Sequence, residues 1–288
     1  LTLEMVTDRE RDYLWQFYAA DHRARINLGI RRRLAPLLER DYAKIQLLNS
    51  LLMSMPGTPI IYYGDEIGMG DNVFLGDRNG VRTPKQRSPD RNAGFSHADP
   101  ERLYLPPIMD PVYGYYAVNV ESQARRSTSQ LSWMKRLITV RKAHSSFGRG
   151  ALTFLYPGNR KVLAYLRSHE DETILCVANM SRAPQAAELN LSAFAGHVPV
   201  ELLGRSAFPP IGDLPYFIVL PGHGFYWFIL ADEHQAPAWH DVYELPLPDL
   251  QTLVVPRGWQ SLLSGSNLEI LCQRILPEYL PGRRWFAA

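Results

Sequence analysis

The stretch Pro56-Gly57-Thr58-Pro59-Ile60-Ile61-Tyr62-Tyr63-Gly64-Asp65-Glu66-Ile67-Gly68-Met69 decides how this sequence is read. Ahead of it, from Asp41 onward, Ile45, Leu48, Leu51, Leu52 and Met55 recur at helical spacing, and Pro56-Gly57 ends the pattern. Thr58 to Gly64 is a short apolar run of β-branched and aromatic residues without polar alternation, which predicts a strand covered on both faces. A helix feeding a buried strand belongs to an α/β layer. Asp65-Glu66 falls at the strand's C-terminal end, where α/β sheets and barrels set their ligand-contacting loops.

Working outward, Ile67 to about Ser127 is rich in Gly, Pro, Asn, Asp and Arg and has no sustained period, so it reads as a long loop. Its apolar and aromatic residues, among them Phe74, Phe95, Tyr104 and Tyr113, predict that it is ordered. A second amphipathic helix is expected over Gln130 to His144, through Leu131, Met134, Leu137 and Ile138. After Gly150 come short strand-like runs at Leu152–Tyr156, Val162–Leu166, Thr173–Ala178, Phe217–Leu220 and Phe225–Leu230, the pattern of an antiparallel all-β domain. Gln235 to Pro248 carries three prolines and reads as a linker. A last apolar helical pattern runs through Leu268, Ile270, Leu271, Ile275 and Leu276.

The 288 residues are 46% hydrophobic and 21% charged, enough to bury a sizeable core, which excludes disorder along the whole length. A net charge of +2 gives no field for steering onto nucleic acid or anionic lipid. Cys176 and Cys272 form neither a metal-ligand pair nor a disulfide framework, and the histidines lack metal spacing. No apolar run approaches the roughly 20 residues that span a bilayer, and residues 1–12 are unlike a signal peptide. The expectation is a cytoplasmic chain with no membrane or nucleic-acid partner, and the initial Leu suggests a fragment.

Residues 56–69 resemble the eighth-strand signature of the α-amylase superfamily, glycoside hydrolase family 13. Within it, Tyr13–Leu38, Gly64–Asn72 and Gly80–Phe95 are similar to the trehalose synthases, which interconvert maltose and trehalose. That resemblance covers about residues 1–233. The tail from Gln251 resembles the N-terminal cap of maltokinase, which is fused behind trehalose synthase in some bacteria. The implied architecture is α/β plus all-β. It consists of an incomplete (β/α)8 barrel over 1–148, an antiparallel β-sandwich over 149–233, a linker over 234–250 and the start of a short α/β cap over 251–288.

The resemblance also implies a retaining mechanism, with a carboxylate nucleophile and a carboxylic acid about 5 Å apart. It sets these carboxylates, and a third family Asp, upstream of Leu1, so no catalytic residue is expected in this chain and the chain alone is expected to be inactive. Calcium, where the parent enzyme takes it, is expected on upstream ligands too, so neither metal nor cofactor is assigned here.

The residues expected at the substrate are Arg82, the family's loop arginine beside the glucose pocket, and Gln86 in the same loop. Asp77 and Arg78 stand either at the pocket entrance or in a simple turn. The family loop reads Arg-Thr-Pro-Met-Gln-Trp. Here Lys85 and Arg87 replace Met and Trp, which removes a flat apolar surface near the acceptor sugar. Asp65 and Glu66, being adjacent, point to opposite faces of a strand and are read as a cap or an ion pair at its end. Maltose and trehalose are the implied small-molecule partners, with an upstream barrel half and a downstream maltokinase domain. Two alternatives remain: a family 13 α-glucosidase fragment, and a noncatalytic scaffold or assembly module.

Overall fold

The computed structural model describes residues 2–27, 29–232, 253, 255 and 258–280. The chain divides into two compact units, Leu1–Ala236 and Pro237–Ala288.

The first unit opens with α1 (Asp8–Tyr18), started by a capping box in which Glu10 N donates to Thr7 Oγ1 and Thr7 N donates to Glu10 Oε2 at 2.9 Å. A short hairpin, β1 (Arg25–Ile26) and β2 (Gly29–Ile30), leads into α2 (Leu34–Leu37) and α3 (Tyr42–Ser54). Asp41 caps α3 by accepting from the amides of Ala43 and Lys44. The helix falls where the spacing puts it, but its buried face is different. Ile45, Leu47, Asn49, Ser50, Met53 and Ser54 are buried, while Leu48 and Leu52 are exposed. Asn49, Ser50 and Ser54 return their donors to the helix's own carbonyls, at Ile45, Leu47 and Ser50. They are therefore buried with their hydrogen bonds made, which an apolar count does not register.

The strand expected over Thr58–Gly64 is corrected by the structure. The segment runs without a ladder partner among the described residues, and Ile60 is 81% exposed. A strand exists only through a neighbour, and the sequence supplied the apolar run without one. Ile61 alone packs inward, against the core under the β domain.

The expected long loop is ordered as a series of short 3-10 turns from Asp65 to Arg102, followed by α4 (Val120–Ala124). Next come α5 (Gln130–Ala143), capped by Ser129 Oγ accepting from Ser132 N, and α6 (Ser145–Arg149). The β domain follows as β3 (Ala151–Leu155), β4 (Val162–His169), β5 (Glu172–Asn179), β6 (Gln185–Leu189), β7 (Val198–Glu201), β8 (Tyr216–Leu220) and β9 (Phe225–Ala231). One antiparallel sheet has the order β3-β4-β5-β9-β7, and β6 pairs with β8 in a second.

Alternation along β4 and β5 buries both faces of the larger sheet. Ala164, Leu166, Leu175 and Val177 face the β6–β8 sheet through a core that includes Leu189, Ile218 and Leu220. Tyr165, Ile174 and Cys176 face the helices through Met53, Trp133, Leu137, Phe147 and Trp227. Five of these strands lie on expected runs. β6 and β7 do not, because Gln-Ala-Ala-Glu-Leu and Val-Pro-Val-Glu are short and carry no aromatic residue. Cys176 is buried and Cys272 is exposed, and both are free thiols.

In the second unit the described secondary structure is helical: a turn at Trp259–Leu263, α7 (Gly265–Ile270), a wider π turn at Leu271–Ile275 and α8 (Leu276–Tyr279). The α/β character expected of this cap is seen only as helix among the described residues, and the linker expected over 234–250 lies outside them. No described helix is long and apolar enough to cross a membrane.

Candidate functional site

The end of the apolar segment turns sharply at Gly64 and Gly68, whose φ values of 90° and 71° suit glycine, and Met69 N closes the turn on Gly64 O at 2.9 Å. A Cβ at Gly64 would stand 2.6 Å from Met69 Sδ and 3.2 Å from Arg33 Nη1, so the guanidinium approaches here because no side chain is present.

Arg33 is the buried centre of the region. Its Nη1 donates to Tyr63 O at 2.6 Å and reaches Asp65 Oδ1 at 3.4 Å, while Nη2 donates to Val81 O at 2.8 Å. The rings of Tyr62 and Tyr63 lie 4.8 and 4.7 Å from its Cζ. Its neighbours act likewise. Arg31 donates to the carbonyls of Arg23, Val73, Leu75 and Asp77, and Arg32 Nε meets Asp71 Oδ2 at 2.9 Å. Three consecutive arginines thus fasten residues 62–82 to the β1–β2 hairpin and the start of α2. None of the three stands among the residues expected at the site. The signal was present as an unbroken Arg-Arg-Arg in a stretch with no helical period, but a charge run ordinarily reads as a solvated face.

Asp65 and Glu66 stand in a 3-10 turn, Asp65–Ile67, rather than at a strand end, and both are anchored there by cations. Burial raises the Asp65 carboxyl to about 6, against the pull of Arg33. Glu66 Oε2 accepts from Gly64 N at 2.7 Å, and Glu66 Oε1 stands 2.6 Å from Lys85 Nζ. Both oxygens of Glu66 are committed, and Asp65 is held against a guanidinium. Neither is poised as a nucleophile.

Beside this turn lies a cleft of about 390 Å³, walled by Tyr63, Arg82, Thr83, Pro84, Lys85, Phe95, Leu103, Tyr104 and Leu105. Tyr63 OH donates to Thr83 O at 2.9 Å and ties two walls together. Aromatic faces beside a guanidinium suit a sugar ring, whose C–H face stacks while its hydroxyls accept. The Arg82 side chain lines this cleft, is exposed, and has no hydrogen bond or ion pair to the described residues.

The other expected site residues are not gathered with Arg82. Gln86 is fully buried, and its Nε2 donates to Tyr113 O at 2.8 Å and Val118 O at 2.7 Å. The structure does not bring Gln86 to the cleft lining: it holds the loop to residues 113–118. Asp77, with a φ of 47°, and Arg78 form an exposed turn outside the cleft lining, its Asp77 carbonyl accepting from Arg31. Arg87 is exposed, with its guanidinium 5.8 Å from the Phe95 ring centre, so the cation covers an aromatic wall of the cleft. Among the described residues no cluster of three or more His, Cys, Asp or Glu could hold a metal ion.

Residues 30–150 match the family model of the alpha amylase catalytic domain, and residues 152–227 that of the maltogenic amylase C-terminal domain. The chain carries part of an alpha-amylase catalytic domain followed by the all-β C-terminal domain of that family. It is 56% identical over 236 residues to the trehalose synthase of Pimelobacter sp., covering 81% of this chain and 41% of that protein. It is 57% identical over 234 residues to the trehalose synthase/amylase of Mycobacterium tuberculosis, 80% of this chain and 39% of the relative. The trehalose synthase of Thermus thermophilus is 48% identical over 285 residues, 92% of this chain and 30% of the relative. The chain therefore spans about two fifths or less of these relatives' lengths. Among solved structures, the trehalulose synthase of Pseudomonas mesoacidophila superposes with a TM-score of 0.53 at 24% identity, over 70% of this chain and 42% of that one. That likeness is one of fold.

Proposed function

We propose that this chain is part of a trehalose synthase that isomerises maltose to trehalose by intramolecular glucosyl transfer with retention. The observation that carries the reading is the identity of 56% over 236 residues to a trehalose synthase, a stretch that includes the whole cleft. In this reading, the cleft beside Asp65 and Glu66 forms one wall of the sugar site and Arg82 holds sugar hydroxyls. The nucleophile, the acid and the third Asp come from the part of the enzyme preceding Leu1, where any calcium is bound as well. The chain by itself then turns over no maltose. The second unit is the beginning of a maltokinase-like cap. The likeness to the Thermus trehalose synthase covers 92% of this chain, so it continues past the β domain into this unit.

Incubating the chain with maltose, alone and with the preceding barrel half supplied, and following sugars by NMR tests the proposal. Trehalose formed only when both parts are present is the expected result. Trehalose from this chain alone would refute the placement of the catalytic carboxylates. Glucose without trehalose would favour an α-glucosidase, the activity in the name of a Rhizobium meliloti relative 30% identical over 213 residues. No product in the mixture would favour a noncatalytic scaffold.

A further inference from the structure

The segment between α3 and the Asp65–Glu66 turn has no strand partner among the described residues, yet its two ends are fixed, and arginine fixes both. At the far end Arg33 takes Tyr63 O. At the near end two other guanidinium groups meet the carbonyls at the C-terminus of α3, where helical backbone acceptors have no partner of their own. Arg167, on β4 and 1% exposed, donates through Nη1 to Ser54 O at 2.6 Å. Its Nη2 donates to Phe147 O and Gly150 O, both at 2.9 Å, closing the end of α6 as well. Arg141, on α5, donates to Met53 O and, at 3.3 Å, to Gly57 O. Ser54 Oγ lies 2.6 Å from Tyr165 OH, also on β4. No carboxylate pairs with Arg141 or Arg167 among the described residues, so their hydrogen-bonding capacity goes to backbone.

We infer that Arg141 and Arg167 are positioning residues: they set where the chain leaves α3 and so fix the placement of the Asp65–Glu66 turn and the Tyr63 wall of the cleft. The β domain then acts on the site through backbone carbonyls rather than by contacting a ligand. The clamp rests on the geometry alone, and its consequence for sugar binding rests on the proposed function.

The test is hydrogen–deuterium exchange of the intact chain, with peptide-resolved mass spectrometry, comparing Arg167→Met and Arg141→Met with the parent. The amides of Asp65, Ile67, Gly68 and Met69 are bonded within the turn and lie at least eight residues beyond the clamp. At least tenfold faster exchange there, with β5 and β9 unchanged, is expected of both variants. Loosening confined to residues 51–57 and 147–150, with the turn unaltered, would overturn the inference. If Arg167→Met does not fold, the half-exposed Arg141→Met decides. Maltose binding measured on the same samples separates the two readings. A parent chain that binds no maltose speaks against the sugar site, while the exchange result still decides the clamp.

Discussion

The Lys85 ammonium stands 2.6 Å from Glu66 Oε1, so the loop that follows Arg82 is tied to the turn that ends the apolar segment. Lys85 there neutralises a carboxylate whose other oxygen already accepts the Gly64 amide.

Replacing Lys85 by Met tests the strength of that tie. Lys85 is about a third exposed and such pairs are worth little, so a stability loss below about 1 kcal/mol is expected. A urea titration of both proteins measures it. A loss of several kcal/mol would show that the pair organises the turn.

Asp65 predicts a dependence on pH. Its folded value of about 6 lies above that of a free carboxyl, so its neutral form suits the fold and ionisation works against it. This stabilisation is complete below about pH 4 and is lost as pH rises through 6. Asp65→Asn is therefore expected to match the parent near pH 4 and to be more stable by roughly 2 kcal/mol above pH 7. Denaturation midpoints at pH 4, 6 and 8 read the trend, and a gap of the opposite sign would refute it.

Arg33→Met is expected to cost about 3 kcal/mol, because it takes the donor from two part-buried carbonyls and the cation from a largely buried carboxylate. Calorimetric unfolding of the variant checks this. An unchanged transition would mean that water replaces the guanidinium.

Arg82→Ala and Gln86→Leu are expected to behave as opposites. Arg82 has no side-chain partner among the described residues, so its loss changes stability by less than about 0.5 kcal/mol and weakens maltose binding by roughly 5–10-fold. Gln86→Leu leaves Tyr113 O and Val118 O without a donor and costs roughly 2 kcal/mol. Thermal shift and sugar titration on each variant distinguish them. A binding loss for Gln86→Leu without destabilisation would return that residue to the sugar.

The two longest helices, α3 and α5, were legible because apolar residues recur at helical spacing over three turns or more, whereas α1, which buries no residue, was not; five strands were legible as aromatic or β-branched runs. The partner of a strand is not written in the strand, which is why Thr58–Gly64 reads as sheet and stands without one. At the site, the motif located Arg82 and the Asp65–Glu66 pair. It was silent on Arg31, Arg32 and Arg33, whose partners, carbonyls for Arg31 and Arg33 and the Asp71 carboxylate for Arg32, lie up to 48 residues away in sequence. It also gave no sign that Gln86 is buried, since a side chain's distance from solvent follows from packing that spacing does not encode.

The two thiols give the molecule a built-in address. Burial pushes the Cys176 thiol far above its ordinary value, in the core between the sheet and the helices, so an alkylating dye has no thiolate to attack there. Cys272 is exposed in the other compact unit. One maleimide equivalent thus marks the C-terminal unit alone, which puts a single label on that unit in an otherwise unaltered chain.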